Sequence, residues 1–385
     1  MNSIPLLTVV AALALSGLCT GAEPAMPWWP QAVSAALQKA GENRPELERA
    51  LNSVEESQRG GMAFLIANMP ARDLLALSAA YLLENCKLAH EARESVPWGR
   101  EIPEEIFFNN VLPYANLDEK RENWRKALLE TVRPMVRDCK TPGEAALKIN
   151  RELFTTIKVK YSTGRRAPNQ APGESMETGT ASCTGLSIIL SDACRAVCVP
   201  TRIAGTPRWT TKRGNHTWVE VWDQGWHFTG AAEPDPGGLD RGWFAEDASK
   251  ALEHQPEHAI YAASFAPSGS SFPLAWAASN HDVPGINVTG RYAATPRPGR
   301  NVTRVYVRVT DSGGRRTAAR VEVLPMNARS KPLEGRSRDE SADGNDMLGF
   351  DLLPETDYTV RVGNEAVSLR TKASGQDQTI TIPLK

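Results

Sequence analysis

The sequence predicts an α+β chain in three parts, and three observations carry that reading. Between residues 27 and 160, apolar residues recur at three- and four-residue steps, the period of amphipathic helices. From 161 to 275, a loop rich in Gly and Pro leads into one helix-period stretch and then into alternating runs joined by a hairpin turn. From residue 284, seven short β-rich runs separated by turn residues fit an all-β sandwich of immunoglobulin-like type.

A chain of 385 residues is too long for one average core. Its 41% apolar and 23% charged content is that of a soluble globular protein. The net charge of −1, with no long single-sign run, gives no sign of a nucleic-acid partner. Residues 4–18 form an apolar run too short to span a membrane, followed by Thr20-Gly21-Ala22, which fits a signal-peptidase site. Bulky Leu18 disfavours a lipoprotein signal through Cys19. The expected units are a signal peptide at 1–22, a helical region at 23–160, a core at 161–275 and a sandwich at 284–385. The protein is expected to be exported, to the periplasm or beyond the cell.

In chain order, helices are expected at 31–40 and 44–57, with Gly60-Gly61 as a break. A buried, Leu-rich helix is expected at 72–91, then helices at 104–110 and 118–137. Thr141-Pro142-Gly143-Glu144 has capping-box spacing, with proline at the first helical position. Charged positions here read as solvated faces, with Arg121, Asn123, Trp124 and Arg125 as candidate cleft residues. A strand is expected at 199–204. His216 then starts an alternating run to Trp222, Asp223-Gln224-Gly225 turns the chain, and 226–231 returns. Pairing Trp222 with Gly225 across a two-residue turn sets His216 opposite Ala231. The sandwich strands are expected at 286–292, 302–309, 318–324, 347–353, 358–362, 366–369 and 379–384, with 327–346 as a long exposed loop.

The chemistry centres on Cys183, where Thr180-Ala181-Ser182 gives way to the apolar stripe Leu186, Ile189, Leu190, Ala193 and Val197. A cysteine at a helix N-terminus faces unpaired amide N–H groups and the positive end of the dipole, which favour the nucleophilic thiolate. Its thiol is therefore expected to titrate below a free one. Cleavage after residue 22 leaves Cys86, Cys139, Cys183, Cys194 and Cys198, an odd number that keeps at least one thiol free; Cys86–Cys139 is the expected disulfide. The chain has no C-x-x-C, and His254-Gln255-Pro256-Glu257-His258 places proline where a helical ligand pair needs helix, so no metal or other cofactor is expected. A thiol nucleophile needs a base, and His216, 33 residues on at a strand start, can fold back beside the helix.

Cys183 opening a helix, Val199-Pro200-Thr201-Arg202, His216-Thr217-Trp218-Val219-Glu220-Val221 and Gly225-Trp226 together resemble the core of the transglutaminase-like superfamily, over about residues 175–236. The resemblance implies a papain-like α+β core with Cys183 as nucleophile, His216 as base and a carboxylate to orient it. It also implies an oxyanion hole made of the Cys183 N–H and a second donor, Gln170 or Trp209. Two positions depart from the family pattern. Cys198 stands where the family often has glycine, and Gly230 stands where it commonly has the triad aspartate. The acid is then Glu233, the same-face diagonal neighbour of His216 in the expected register, or alternatively Asp235. The implied activity is that of an exported cysteine-dependent hydrolase or acyl-transfer enzyme acting on amide bonds of proteins or peptides through a thioester. Its alternatives are an inactive peptide-binding scaffold and a true protein cross-linking transglutaminase. Arg208, Lys212 and Arg213 flank the site in sequence and are expected to repel a lysine ammonium, favouring water as acceptor and an acidic substrate.

Overall fold

The structure is a computed structural model that describes residues 27–293, 301–326 and 331–384; the expected leader at 1–22 lies outside them. Helices at Gln31–Lys39, Arg44–Ser53, Arg59–Asn68, Ala79–Ser95, Glu104–Asn110, Trp124–Val132 and Pro142–Thr156 precede the helix Cys183–Ala196. Pro142–Thr156 starts as its capping pattern requires: Thr141 Oγ1 accepts from Glu144 N at 3.2 Å, and Glu144 Oε2 accepts from Lys140 N at 2.7 Å.

Several boundaries differ from expectation, for local reasons. Gly60-Gly61 does not break a helix but lies inside Arg59–Asn68. A Cβ on Gly61 would stand 2.9 Å from His90 Cε1 and 3.0 Å from Leu112 Cδ2, so glycine here admits a close neighbour. The expected helix at 72–91 is split into Ala71–Leu74 and Ala79–Ser95, the second capped by Ser78 Oγ, which accepts from Tyr81 N. The expected helix at 118–137 shrinks to Trp124–Val132. Ahead of it the Glu119 carboxylate takes the N–H groups of Asn116 and Leu117 and folds the chain into a tight loop.

Asn123, Trp124 and Arg125 line a small pocket of about 20 Å³ and Arg121 lines another, and none of the four lines the cavity that holds Cys183. Arg125 is buried, donating to Asn85 Oδ1 at 2.9 Å and to the carbonyls of Arg195 and Val111 at 3.1 and 2.9 Å. Arg121 pairs with Asp73, the Trp124 indole donates to the Tyr114 carbonyl, and Asn123 precedes the helix as its N-cap. Arg125 ties the helical layer to the end of Cys183–Ala196.

One apolar core runs from Leu47, Leu65 and Leu82 through Leu128 and Ile149 to Leu186, Ile189, Leu190 and Val219. The expected division at residue 160 is thus one of sequence, not of packing. Beyond the helices lies a five-stranded antiparallel sheet in the order Trp226–Thr229, His216–Trp222, Thr201–Thr206, Tyr261–Ala263, Gly285–Asn287. The hairpin pairs Trp222 with Trp226, not with Gly225. Its turn holds three residues, with Gln224 in the left-handed region at φ 59°. The register therefore slips by one from expectation, and His216 extends past the end of its partner, which stops at Thr229.

The expected strand at 286–292 is also revised. Gly285–Asn287 pairs with Tyr261–Ala263 in the core sheet, and Thr289–Ala293 is a short helix that carries Tyr292 beneath Trp218. The core thus continues to 293. Among the described residues seven strands follow in two sheets, four-stranded and three-stranded, closing over Val305, Val307, Val323, Val360 and Ile382. The seventh is Leu333–Arg336, which lies inside the expected long loop. The chain thus has an α+β core with helices before it and a β-sandwich after it. Cys86, Cys139, Cys183, Cys194 and Cys198 are all free, so the expected Cys86–Cys139 disulfide is absent.

Candidate active site

Cys183 is the first residue of its helix, and Ser182 is the N-cap. Ser182 Oγ accepts from Gly185 N at 3.0 Å and donates to the Pro168 carbonyl. The helix is pinned to the histidine strand next to the site: Thr184 Oγ1 donates to Thr217 Oγ1 at 3.0 Å and Ser187 Oγ donates to the Thr217 carbonyl at 3.3 Å. Thr217 adjoins His216, so these two bonds bring Cys183 and His216 to one place. Cys183 and His216 line a single cavity of about 320 Å³, with Tyr161, Glu233, Trp243 and Asp343. The strand Thr201–Thr206 that supports His216 begins after Cys198, which takes the left-handed conformation at φ 55° usually left to glycine. The Trp98 indole donates to the Cys198 carbonyl at 2.9 Å and holds that turn.

The imidazole of His216 sits among aromatic rings. Trp243 and Phe244 lie 4.7 and 4.8 Å from it between centroids, with Trp218 and Trp209 at 5.8 and 6.4 Å. It is 4% exposed, and its Nε2 is buried with no hydrogen-bond partner. Burial pushes its pKa down to about 3, outweighing the pull of Asp343. Burial likewise raises the Cys183 thiol, against N–H groups of Thr217 and Thr184 that favour the anion. The expectation of a depressed thiol is therefore reversed, because loss of solvent outweighs the helix end. At neutral pH the pair rests as thiol and neutral imidazole.

Of the two candidate acids, Glu233 is in the cleft and Asp235 is not. Asp235 accepts from Gly237 N at 2.7 Å in its own turn and does not line the cavity. A Cβ at Gly230 would lie 2.9 Å from Glu233 Oε2, so this carboxylate fills the space where the resemblance places the aspartate. Glu233 does not bond the imidazole. Its Oε2 accepts from Trp243 Nε1 at 2.7 Å, and Trp243 packs on His216. The environment of the cleft raises the Glu233 carboxyl above its ordinary range, although the side chain still reaches solvent at the mouth.

Both oxyanion candidates have their N–H groups engaged elsewhere. Gln170 is buried, donates to the Thr180 carbonyl and accepts from Arg166 and Ala167 N–H, bracing the loop before Cys183. Trp209 donates to Asn345 Oδ1 at 2.9 Å. The expected cationic flank is also spent. Arg213 pairs with Asp247 and donates to the Asn345 carbonyl, and Arg208 and Lys212 do not line the cavity.

Sequence reasoning missed the part of the site that comes from the sandwich. The turn at Gly344–Asp346 brings Asp343, Asn345 and Asp346 to the cavity wall. Asp343 accepts from the Tyr161 hydroxyl, and Asn345 donates to the Asn215 carbonyl at 2.8 Å. A Cβ on Gly344 would stand 2.9 Å from the Arg213 carbonyl, a close main-chain approach that glycine allows. The expected loop at 327–346 carries no local mark of its partner, the loop at 208–215, more than a hundred residues earlier.

Residues 130–248 match the family described as the transglutaminase-like superfamily. No curated protein matches the chain. Among solved structures, a candidate cysteine protease from Cytophaga hutchinsonii is similar at 17% identity and a TM-score of 0.29, covering 39% of this chain and 50% of its own. Red sea bream transglutaminase is similar at 9% identity and a TM-score of 0.31, covering 72% of this chain and 66% of its own. The chain thus spans half the length of the first and just under two thirds of the second.

Proposed function

Starting from a region, residues 130–248, that belongs to the transglutaminase-like superfamily, we propose that this protein is a cysteine-dependent hydrolase of amide bonds in proteins or peptides, working through a thioester. The observation that carries this is the placing of a helix-N-terminal thiol and a buried, unpartnered imidazole on one cavity. Neutral His216 takes the thiol proton as Cys183 Sγ attacks the amide carbonyl and the C–S bond forms. Backbone N–H groups of the first helical turn, Cys183 among them, face the developing oxyanion. The imidazolium returns its proton to the leaving amine, and the C–N bond breaks to leave the thioester. Water then attacks, His216 again takes the proton, and the acid departs as the thiol re-forms. Glu233 acts through Trp243, fixing the wall against which the imidazole rests.

Water is the acceptor in this reading because the cleft opens to solvent, whereas amine transfer needs water shut out. The apolar run at 4–18 supports export. Among the described residues no helix is long and apolar enough to cross a membrane.

Intact-mass detection of an acyl adduct on Cys183 after exposure to an activated ester tests the reading. The adduct should vanish in Cys183→Ala and slow strongly in His216→Gln. Acylation at Cys194 or Cys198 with Cys183 unmodified would overturn it.

A further inference from the structure

The cavity beside Cys183 has carboxylates on two sides and no lysine or arginine among its described lining residues. Glu233 stands on the core side; Asp343 and Asp346 stand opposite, on the turn delivered by the sandwich. The wall is built rather than loosely apposed. Asn345 is held from three directions: its Oδ1 accepts from Trp209, its Nδ2 donates to the Asn215 carbonyl, and its own carbonyl accepts from Arg213. Lys250–Asp377 at 2.8 Å and Thr379 Oγ1 on the Thr211 carbonyl fasten the same face. Asp343 is fixed within the turn by accepting from Asn345 N at 2.7 Å. The nearby cations are spent elsewhere, Arg213 on Asp247 and Arg316 on the main-chain carbonyls of Ala342 and Asp343. A second, independent feature of the same cavity is the His216 ring, 4% exposed, whose Nε2 has no partner within the protein. The unanswered ring nitrogen calls for a polar occupant, and the carboxylates with no cation around the same void call for a positively charged one.

We propose that the sandwich turn completes a subsite for cationic substrates, in which Asp343, Asp346 and Glu233 hold an ammonium or guanidinium close to the amide that Cys183 attacks. This rests on Cys183 being the reacting thiol. The charge is sensed by the substrate that reaches the thiol first, before any acceptor enters. The β-module is then part of the recognition site, and the acidic substrate expected from the sequence is replaced by a basic one. The reason is that Arg208, Lys212 and Arg213 are near His216 in sequence but do not face the cavity.

The test uses the full chain and three methanethiosulfonates of similar size, one carrying a trimethylammonium, one neutral and one carrying a sulfonate. Each transfers its thioalkyl group to the thiolate and releases methanesulfinate. Rates at Cys183, located by peptide mass, are normalised to those with a small free thiol at low ionic strength. The cationic reagent should exceed the anionic one by roughly tenfold or more, and high salt should erase most of the difference. The ratio should fall in Asp343→Asn. It should also fall in Asp346→Asn, where the exposed side chain has no part in the fold. Equal normalised rates for the three reagents overturn the subsite and leave the thiol chemistry standing. A Cys183 that stays silent to the neutral reagent, while the unfolded chain is labelled, overturns the thiol chemistry and the subsite with it.

Discussion

Lowering the pH from 7.5 to 5 is expected to cost the folded protein about 2 kcal/mol through His216 alone. In the unfolded chain the imidazole titrates at 6.5, whereas burial among aromatic rings holds it at about 3 in the fold. Between those values the unfolded state binds a proton that the native state does not. Stability therefore rises with pH through this window and is lost as pH falls below 6.5. At pH 5 the gap from 6.5, at about 1.4 kcal/mol per pH unit, gives the 2 kcal/mol. Urea unfolding of the wild type and of His216→Gln at both pH values isolates the effect, because every other titrating group is common to the two. With a slope of about 3 kcal/mol/M, the wild-type midpoint should drop by about 0.7 M more than that of the variant. Equal drops would refute the reasoning, showing either that the imidazole charges in place or that solvent reaches it.

Cys183 alkylation by iodoacetamide should still be accelerating at pH 9, since burial raises the thiol; a plateau near neutrality would contradict that. Glu233→Gln should slow Cys183 acylation by about tenfold, far less than the ~10⁴ lost when a directly bonded triad carboxylate is neutralised. Asp235→Asn should leave the rate within about twofold, and the reverse order would move the positioning role to Asp235. Glu220 is fully buried and takes Arg202 at 2.6 Å, Arg291 at 3.0 Å and the Tyr292 hydroxyl at 2.8 Å. Glu220→Gln leaves Arg202 without a counter-charge in the core and should cost about 3–5 kcal/mol in urea unfolding. A chain ending at residue 284 loses the edge strand Gly285–Asn287 and Tyr292 and should fail to fold by circular dichroism. One ending at 298 should fold and label Cys183 faster with a bulky reagent, since the wall at Asp343–Asp346 is gone; slower labelling would count against that wall.

What the sequence by itself determined is what local physics determines. The helix at Cys183 follows from its cap and stripe, the histidine strand from alternation, and the Pro142–Thr156 start from its capping residues. All three depend on neighbours a few residues away. The hairpin register was less legible, because one left-handed residue at Gln224 lengthens the turn and shifts every pair beyond it. Gly60-Gly61 misled for a related reason: glycine can end a helix or let another element approach, and the choice rests on His90 and Leu112, far along the chain. The ionisation of the site was a matter for the tertiary structure alone. A helix N-terminus favours a thiolate, but the number of rings around His216 and the depth of Cys183 are set by contacts across the whole core. The sign of charge in the cleft was decided in the same way. Arg208, Lys212 and Arg213 are sequence neighbours of the His216 strand, yet the cavity is faced by Asp343 and Asp346, more than a hundred residues away. Electrostatic fields act through space and are screened by what lies between charges, so only folding could choose which charges the thiol meets.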